Sequence, residues 1–239
     1  MPLPSLPRIA LIPAYMPGWQ LLDLLREVKA AGLFALLVDD GSGPDFAPVF
    51  AEAAKDAVLL THPENRGKGR ALKTGYTYIR ERFPDGAAVV TLDADGQHRM
   101  EDALKLLAEA ETHPEALILG SRMFSAMPRR SRFGNTVTRF VYRLCTGVSV
   151  RDTQTGLRAF DAALLPRMLE IEGERYEYEM NVLLEFARAK IPILETDIET
   201  IYFDKNAGSH FKVFKDSYLV YREIFRYLSS RRQRRKAPR

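Results

Sequence analysis

Apolar residues in this chain fall into short unbroken runs, separated by stretches in which they recur at helical spacing. Arg8 to Pro13 reads as a first strand, and Gln20 to Ala31 as a helix with Leu21, Leu24, Leu25 and Val28 on one face. Leu33 to Asp39 is a second strand. A weak helix near Asp45 to Lys55 precedes a third strand, Ala57 to Thr61. Gly69 to Phe83 is helical, Ala87 to Leu92 is an uncharged, β-branched strand, and Met100 to Thr112 is helical again. Ala116 to Gly120 follows as a strand. Alternation of this kind argues an α/β fold, a mostly parallel central sheet with helices on both faces.

After Ser121 the pattern changes. Met123 to Arg132 is basic and contains proline, Phe133 to Leu144 reads as helical, and a loop runs through Thr155 to a short strand, Leu157 to Phe160. Tyr176 to Ala189 has helical spacing and Ile193 to Tyr202 alternates like a strand. Asp204 to Ser209 is a polar loop, and Lys212 to Ser230 is a last long helix. With no repeat, low-complexity linker or sharp boundary, residues 1–230 read as one domain followed by a basic tail, 231–239, expected to be disordered.

Composition narrows the function classes. The chain of 239 residues is 46% hydrophobic, enough for a sizeable core. Its single cysteine, Cys145, excludes an intrachain disulfide framework and a thiolate-rich zinc site, and fits a reducing compartment. The proline-rich start, Met1 to Pro7, does not resemble a signal peptide, and no run of about 18 apolar residues suggests a membrane span. The net charge of +4 is uneven: Arg231 to Arg239 holds six basic residues and no acid, leaving 29 basic against 31 acidic groups elsewhere. A body that tracks a nucleic-acid backbone is therefore not expected.

The candidate chemistry sits at strand ends. Asp93-Ala94-Asp95 directly follows the strand Ala87 to Leu92. Side chains at i and i+2 leave a strand on the same side, so both acids should converge at the carboxyl end of the sheet, where open α/β folds bind ligands. Two hard oxygen ligands suit Mg²⁺ or Mn²⁺ completed by water and phosphate, although a lone Asp-x-Asp is also an ordinary polar turn. A second acidic strand end, Val38-Asp39-Asp40-Gly41-Ser42, strengthens the ligand reading. One of its carboxylates can accept from a base N–H or a ribose hydroxyl while the other caps the next helix. Pro13-Ala14-Tyr15 turns the first strand out at the sheet edge, and Tyr15 either stacks on a base or covers the core. Asn65-Arg66-Gly67-Lys68-Gly69 opens a helix, with glycines that can approach a phosphate and a lysine point charge, or is simply a loop and helix start. It is not a Walker loop, and no Gly-x-Gly-x-x-Gly is present, which argues against nicotinamide chemistry. Gln97 can orient a metal-bound water, and His98 is a ligand or polar lining. The other histidines, His62, His113 and His210, show no metal-ligand spacing.

Together these motifs resemble glycosyltransferase family 2, nucleotide-diphospho-sugar enzymes of GT-A fold, and within it the dolichyl-phosphate mannose synthase-like branch with its soluble bacterial relatives. The resemblance is carried by Pro13-Ala14-Tyr15, Asp39 to Ser42, Asn65 to Gly69, Asp93 to His98, Gly120-Ser121-Arg122 and Gln154-Thr155-Gly156-Leu157-Arg158, in the family's order, and more weakly by Ser209-His210-Phe211. It implies a nucleotide-binding half over 8–122, an acceptor half over 123–211 and a C-terminal amphipathic helix over 212–230. By position, Pro13, Ala14, Tyr15 and Asp40 would hold the nucleotide of a UDP- or GDP-linked donor, supported by Asp39, with Lys68 near the base or diphosphate. Asp93, Ala94, Asp95 and Gln97 would line the ribose and the Mg²⁺ or Mn²⁺ ion, Asp95 being the primary ligand. Arg122, Gln154 and Arg158 would face the sugar and acceptor. Pro17 stands where eukaryotic and archaeal synthases commonly carry an acid, and no membrane-spanning segments follow the domain, so the acceptor is the least constrained part.

The resemblance implies direct, inverting displacement at the anomeric carbon. A hydroxyl acceptor would need a general base, for which Glu177 or Glu179 is available, although both also suit a helix N-terminus. A polyprenyl phosphate is already ionised and needs cations instead. Arg129, Arg130 and Arg132 form a compact cluster that suits a phosphate or is a solvated charge run. Phe214, Tyr218, Tyr221, Phe225 and Leu228 recur at helical spacing beside Lys212, Lys215, Arg222 and Arg226. That helix with the basic tail can lie on an anionic membrane surface, or pack on the domain's own core. The expectation is a metal-dependent glycosyltransferase acting at the cytoplasmic membrane face on a polyprenyl phosphate. Transfer to a saccharide hydroxyl is the alternative, and a sugar-nucleotide-binding regulator is the non-enzyme one.

Overall fold

The computed structural model describes residues 6–122, 129–199, 222, 226 and 227, and of 129–134 the backbone alone. Seven strands form one sheet: β1 (Arg8–Ala14), β2 (Phe34–Asp39), β3 (Val58–Thr61), β4 (Ala88–Thr91), β5 (Leu117–Arg122), β6 (Arg158–Asp161) and β7 (Ile193–Ile198). Their order is β3-β2-β1-β4-β6-β5-β7. All pairings are parallel except those of β6, which runs antiparallel to both β4 and β5. The helices are α1 (Gln20–Ala30), α2 (Ala47–Ala53), α3 (Lys68–Arg82), α4 (Met100–Thr112), α5 (Arg129–Thr146), α6 (Leu165–Glu170) and α7 (Glu177–Ala189).

The unbroken apolar strands are explained by burial on both faces. Ile9 and Leu11 point into one core, with Ala71, Leu72, Tyr76 and Ile79 of α3, Tyr142 of α5 and Leu183 and Phe186 of α7. Ala10 and Ile12, one residue out of phase, point into the other, with Leu21, Leu24, Leu25 and Val28 of α1 and Leu106 and Leu107 of α4. The parallel strands β1, β2, β4 and β5 all end at one edge of the sheet. Strand order reverses beside β1, with β2 on one side and β4 on the other, which opens a crevice at their carboxyl ends. Because β6 is antiparallel, the segment leading into it, Gln154 to Leu157, enters from that same edge.

Several elements differ from expectation. β5 continues through Ser121 to Arg122, because Gly120 to Arg122 pair with Thr196 to Ile198 of β7. α5 starts at Arg129, so Arg129 and Arg132 lie in its first turns and not in a loop. α6 was not legible from periodicity. It follows a 3₁₀ turn capped by Asp161, whose side chain accepts from the Ala163 N–H, and it carries a proline in its first turn. β7 ends at Ile198. The loop Asp204 to Ser209, Ser209-His210-Phe211, most of Lys212 to Ser230 and the tail lie outside the described residues. Of that last segment, Arg222, Arg226 and Tyr227 are helical, and Tyr227 packs against the core that holds α3 and α7. No helix among the described residues is long and apolar enough to cross a membrane.

Candidate active site

The crevice is built first by the loops after β1 and β2. The Asp40 N–H donates to the Ala14 carbonyl at 2.8 Å, extending the pairing of β2 with β1 past the strand ends. Ser42 joins the two loops: its N–H donates to Asp39 Oδ1 at 2.9 Å, and its hydroxyl accepts from the Met16 N–H at 2.8 Å. Tyr15 is half-buried at this junction.

Asp39 and Asp40 differ in their surroundings. Asp40 is buried, and both its oxygens are engaged by the loop after β3. It accepts from Gly67 N at 2.7 Å, Arg66 N at 3.0 Å and Asn65 Nδ2 at 2.9 Å, and it meets His62 Nδ1 at 2.8 Å. His62 reaches onward to the Thr74 hydroxyl at 2.9 Å. A carboxylate saturated in this way anchors a loop and has no lone pair left for a base or ribose. The Asp39 carboxylate accepts only from Ser42 among the described residues, so of the two it is the carboxylate with an oxygen to offer.

The second wall joins α3 to α7. A Cβ on Gly67 would stand 2.4 Å from the Glu174 carbonyl oxygen, and one on Gly69 would stand 2.6 Å from Cβ of Tyr178. These glycines admit the loop before α7 onto the first turn of α3. Arg70 then fixes the loop, through its N–H to the Glu174 carbonyl at 2.9 Å and its guanidinium to the Glu174 carboxylate. The packing brings Lys68 and Glu179 together: Lys68 Nζ lies 3.1 Å from Glu179 Oε2 and 2.8 Å from Asp93 Oδ1. Asp93 Oδ2 lies 3.4 Å from Nε2 of the buried His98. Arg158 is buried behind this group, donating to the Thr155 carbonyl at 3.0 Å and the Glu179 carbonyl at 2.9 Å, with Nε 3.9 Å from Glu179 Oε1. Arg158 is thus buried against Glu179 and is not exposed at the surface.

The charges within this cluster are unequal. Burial would lower the Lys68 ammonium, but Asp93 and then Glu179 outweigh it and hold its pKa above the ordinary lysine range. Burial would raise Asp93, yet Lys68 and His98 hold it well below the usual carboxylate range. Asp95 is shifted the other way: burial, and next the charge of Asp93, raise it. Its Oδ1 accepts from the Gln97 N–H at 3.0 Å, the one bond it receives among the described residues. A carboxylate crowded by another negative charge, with acceptor capacity left, is suited to a hard divalent cation. Among the described residues no group of three or more His, Cys, Asp or Glu side chains could cage a metal. The donor set fits Mg²⁺ or Mn²⁺, which bind through one or two carboxylates with substrate phosphate and water completing the shell.

The third wall is the loop before β6. Arg122, at the end of β5, donates to the fully buried Asp152 through Nε at 2.6 Å and Nη2 at 3.1 Å. Asp152 Oδ1 also accepts from the Gln154 N–H at 3.1 Å, while the Gln154 side chain is exposed. Asn135 of α5 ties the loop down, accepting from Thr153 N at 3.3 Å and from the Thr153 hydroxyl at 3.2 Å. Glu177 is buried, and its Oε1 accepts from the N–H groups of Glu174 at 3.0 Å and Arg175 at 3.2 Å. It ties down the loop that leads into α7 through this one oxygen. The side chains of Arg129 and Arg132 lie outside the described residues. Asp152, Asn135, Glu174 and His62 carry this architecture and were not singled out from sequence. Asp152 had one signal, an acid two residues ahead of the Gln154 to Arg158 motif.

Residues 10–216 match the family described as Glycosyl transferase family 2. The chain is 29% identical over 233 residues to the UDP-N-acetylglucosamine–dolichyl-phosphate N-acetylglucosaminyltransferase of Methanococcus voltae, spanning 85% of this chain and 92% of that one. It is 30% identical over 204 residues to the undecaprenyl-phosphate 4-deoxy-4-formamido-L-arabinose transferase of Pseudomonas fluorescens (strain Pf0-1), spanning 79% of this chain and 57% of that one. Among solved structures, glucosyl-3-phosphoglycerate synthase from Mycobacterium tuberculosis, in complex with Mn²⁺, UDP and glucosyl-3-phosphoglycerate, superposes with a TM-score of 0.72 at 16% identity, over 94% of this chain and 81% of that one. That likeness is one of fold, and it is the GT-A fold expected from the motifs. With a family match that runs from β1 past β7, the chain belongs to glycosyl transferase family 2 and is a nucleotide-sugar glycosyltransferase.

Proposed function

We propose that the enzyme transfers a sugar from a nucleotide-diphospho-sugar to a polyprenyl phosphate, with Mg²⁺ or Mn²⁺ at Asp95. The observation that carries the acceptor class is the state of the two candidate bases: Glu177 is buried with Oε1 held by two backbone donors of the loop before α7, and Glu179 is paired with Lys68. A hydroxyl nucleophile would need one of them released, whereas a phosphate monoester is already anionic and needs only cations to hold it. Arg122, oriented by Asp152, supplies one cation beside the crevice, and α5, whose Asn135 binds the loop before β6, carries Arg129 and Arg132 in its first turns. The names of the Methanococcus voltae and Pseudomonas fluorescens relatives, both lipid-phosphate transferases, support the same class.

In this reading Tyr15, with the backbone of Pro13 and Ala14, and Asp39 receive the nucleotide, and Lys68 meets the diphosphate. Gln97 and Asp95 hold the cation, which when bound neutralises charge growing on the leaving diphosphate. Arg122 and Gln154 border the acceptor. A phosphate oxygen forms the new bond to the anomeric carbon as the bond from that carbon to the diphosphate breaks. The nucleoside diphosphate leaves with the electron pair, so no proton has to be removed from the acceptor. The test is incubation of UDP- and GDP-sugars and Mn²⁺ with a short polyprenyl phosphate or with the corresponding polyprenol and free saccharides. Mass spectrometry should find a glycosylated lipid phosphate, and product formed on hydroxyl acceptors alone would reject the reading.

A further inference from the structure

The acids of Asp93-Ala94-Asp95 are unlike in their surroundings. Asp93 has both oxygens engaged, Oδ1 by Lys68 at 2.8 Å and Oδ2 by His98 at 3.4 Å. Asp95 accepts a single bond, from its near neighbour Gln97, and no cationic side chain pairs with it among the described residues. Lys68 is not a surface lysine that happens to reach an acid. Its side chain is 15% exposed, it is the first residue of α3, and its second contact is Glu179 Oε2 at 3.1 Å. Glu179 is held in turn by Arg158, which donates to its carbonyl at 2.9 Å and lies 3.9 Å from its carboxylate. The clasp of Glu174 on Arg70 fixes the two helices that carry this pair.

We infer that Lys68, positioned by Glu179, is a built-in counter-ion that withholds Asp93 from a divalent cation until a donor diphosphate competes for the lysine. The inference rests on the metal part of the proposed function. Without donor, Asp95 is the one carboxylate of the pair open to a cation, and a hard divalent ion with a single protein carboxylate is bound weakly. A donor diphosphate brings oxygens for the cation and a second anionic partner for Lys68, whose flexible stem and three donors allow it to change partners. Asp93 is thereby released at the moment the cation is taken up, and each ligand strengthens the other by the same factor. Glu179 is then a positioning residue for Lys68, consistent with an acceptor that needs no base.

Mn²⁺ binding to the full chain, followed by electron paramagnetic resonance with and without UDP or GDP, tests this without turnover. Wild type should bind Mn²⁺ weakly alone and more tightly with a nucleoside diphosphate. Lys68→Met should tighten Mn²⁺ binding in the absence of nucleotide by about 10-fold, the low end of what groups around a metal carboxylate contribute, and should shrink the gain from nucleotide. Glu179→Gln, which keeps the side-chain shape, should move both quantities the same way by a smaller factor, and it serves if Lys68→Met fails a near-ultraviolet circular dichroism check. Unchanged or weaker Mn²⁺ binding in both folded variants, with wild type normal, overturns the counter-ion role and leaves the metal-dependent reading standing. Absence of Mn²⁺ binding to wild type even with UDP and GDP overturns both.

Discussion

A Cβ placed on Gly156 would stand 2.2 Å from Oδ2 of Asp93, so the backbone before β6 passes directly over the first acid of the metal-site pair. The contact is locked from the strand side, where the Thr91 hydroxyl donates to the Gly156 carbonyl at 2.8 Å. Only glycine leaves the Asp93 carboxylate where it is. A methyl group in that position must push the Asp93 carboxylate away from Lys68 and His98.

Gly156→Ala should therefore lower the transfer rate by roughly 10²-fold, the scale of an ångström-sized misplacement near reacting groups. The side chain it disturbs is at the sheet edge, so the circular dichroism spectrum should stay native. Wild-type kcat/KM for this variant would show that the position of Asp93 does not matter to transfer.

Asp95→Asn separates stability from activity. Burial and Asp93 raise the Asp95 pKa in the folded state, so its ionised form is disfavoured there relative to the unfolded chain. The penalty is complete above the folded pKa, shrinks as pH falls, and is gone below the ordinary aspartate value of about 4, where the carboxyl is protonated in both states. In metal-free buffer at neutral pH the variant should melt at a higher temperature than wild type, with the difference disappearing in acid, while transfer is lost. A lower melting temperature at pH 7 would contradict the crowded-charge account of this residue.

Asp39 and Asp40 should respond in opposite ways. Asp40→Ala removes the acceptor for His62, Asn65, Arg66 and Gly67 and should destabilise the fold by at least about 1.5–3 kcal/mol, the scale of one charged hydrogen bond. Asp39→Ala should weaken nucleoside-diphosphate affinity in calorimetry with a smaller shift in the unfolding midpoint. Tyr15→Ala should weaken the same affinity by about 1–3 kcal/mol if its ring stacks on the base. A nucleotide defect confined to Asp40→Ala would restore the original ranking.

Asp152 holds Arg122 from a fully buried position, so Asp152→Ala breaks a buried ion pair and should cost about 3–5 kcal/mol of stability. Asp152→Asn keeps the shape and part of the hydrogen bonding. Its expected signature is a raised KM for a polyprenyl phosphate with slow donor hydrolysis retained, measured by release of nucleoside diphosphate. A raised KM for the donor alone would move Arg122 to the other substrate.

Local pattern was sufficient for the strands β1 to β5, for α1, α3, α4 and α7, and for the placing of Asp39, Asp40, Asp93 and Asp95 at strand ends. Those features depend on residues a few positions apart: a doubly buried strand must be apolar throughout, and the polar turn that follows must carry its chemistry. Periodicity was weaker where local signals were mixed, so it missed α6 and began α5 four residues late, at Phe133 and not Arg129. The partner of each charge lay beyond its reach altogether. Asp39 and Asp40 are adjacent and chemically alike, and only the loop after β3, delivered by pairing of β3 with β2, makes one an anchor and leaves the other an oxygen. Lys68 meets Glu179, and Arg122 meets Asp152, because α3 packs against α7 and β5 ends beside the loop before β6. Electrostatic roles depend on separations of 3–4 Å between segments remote in sequence, and those separations exist only after the sheet has ordered its strands.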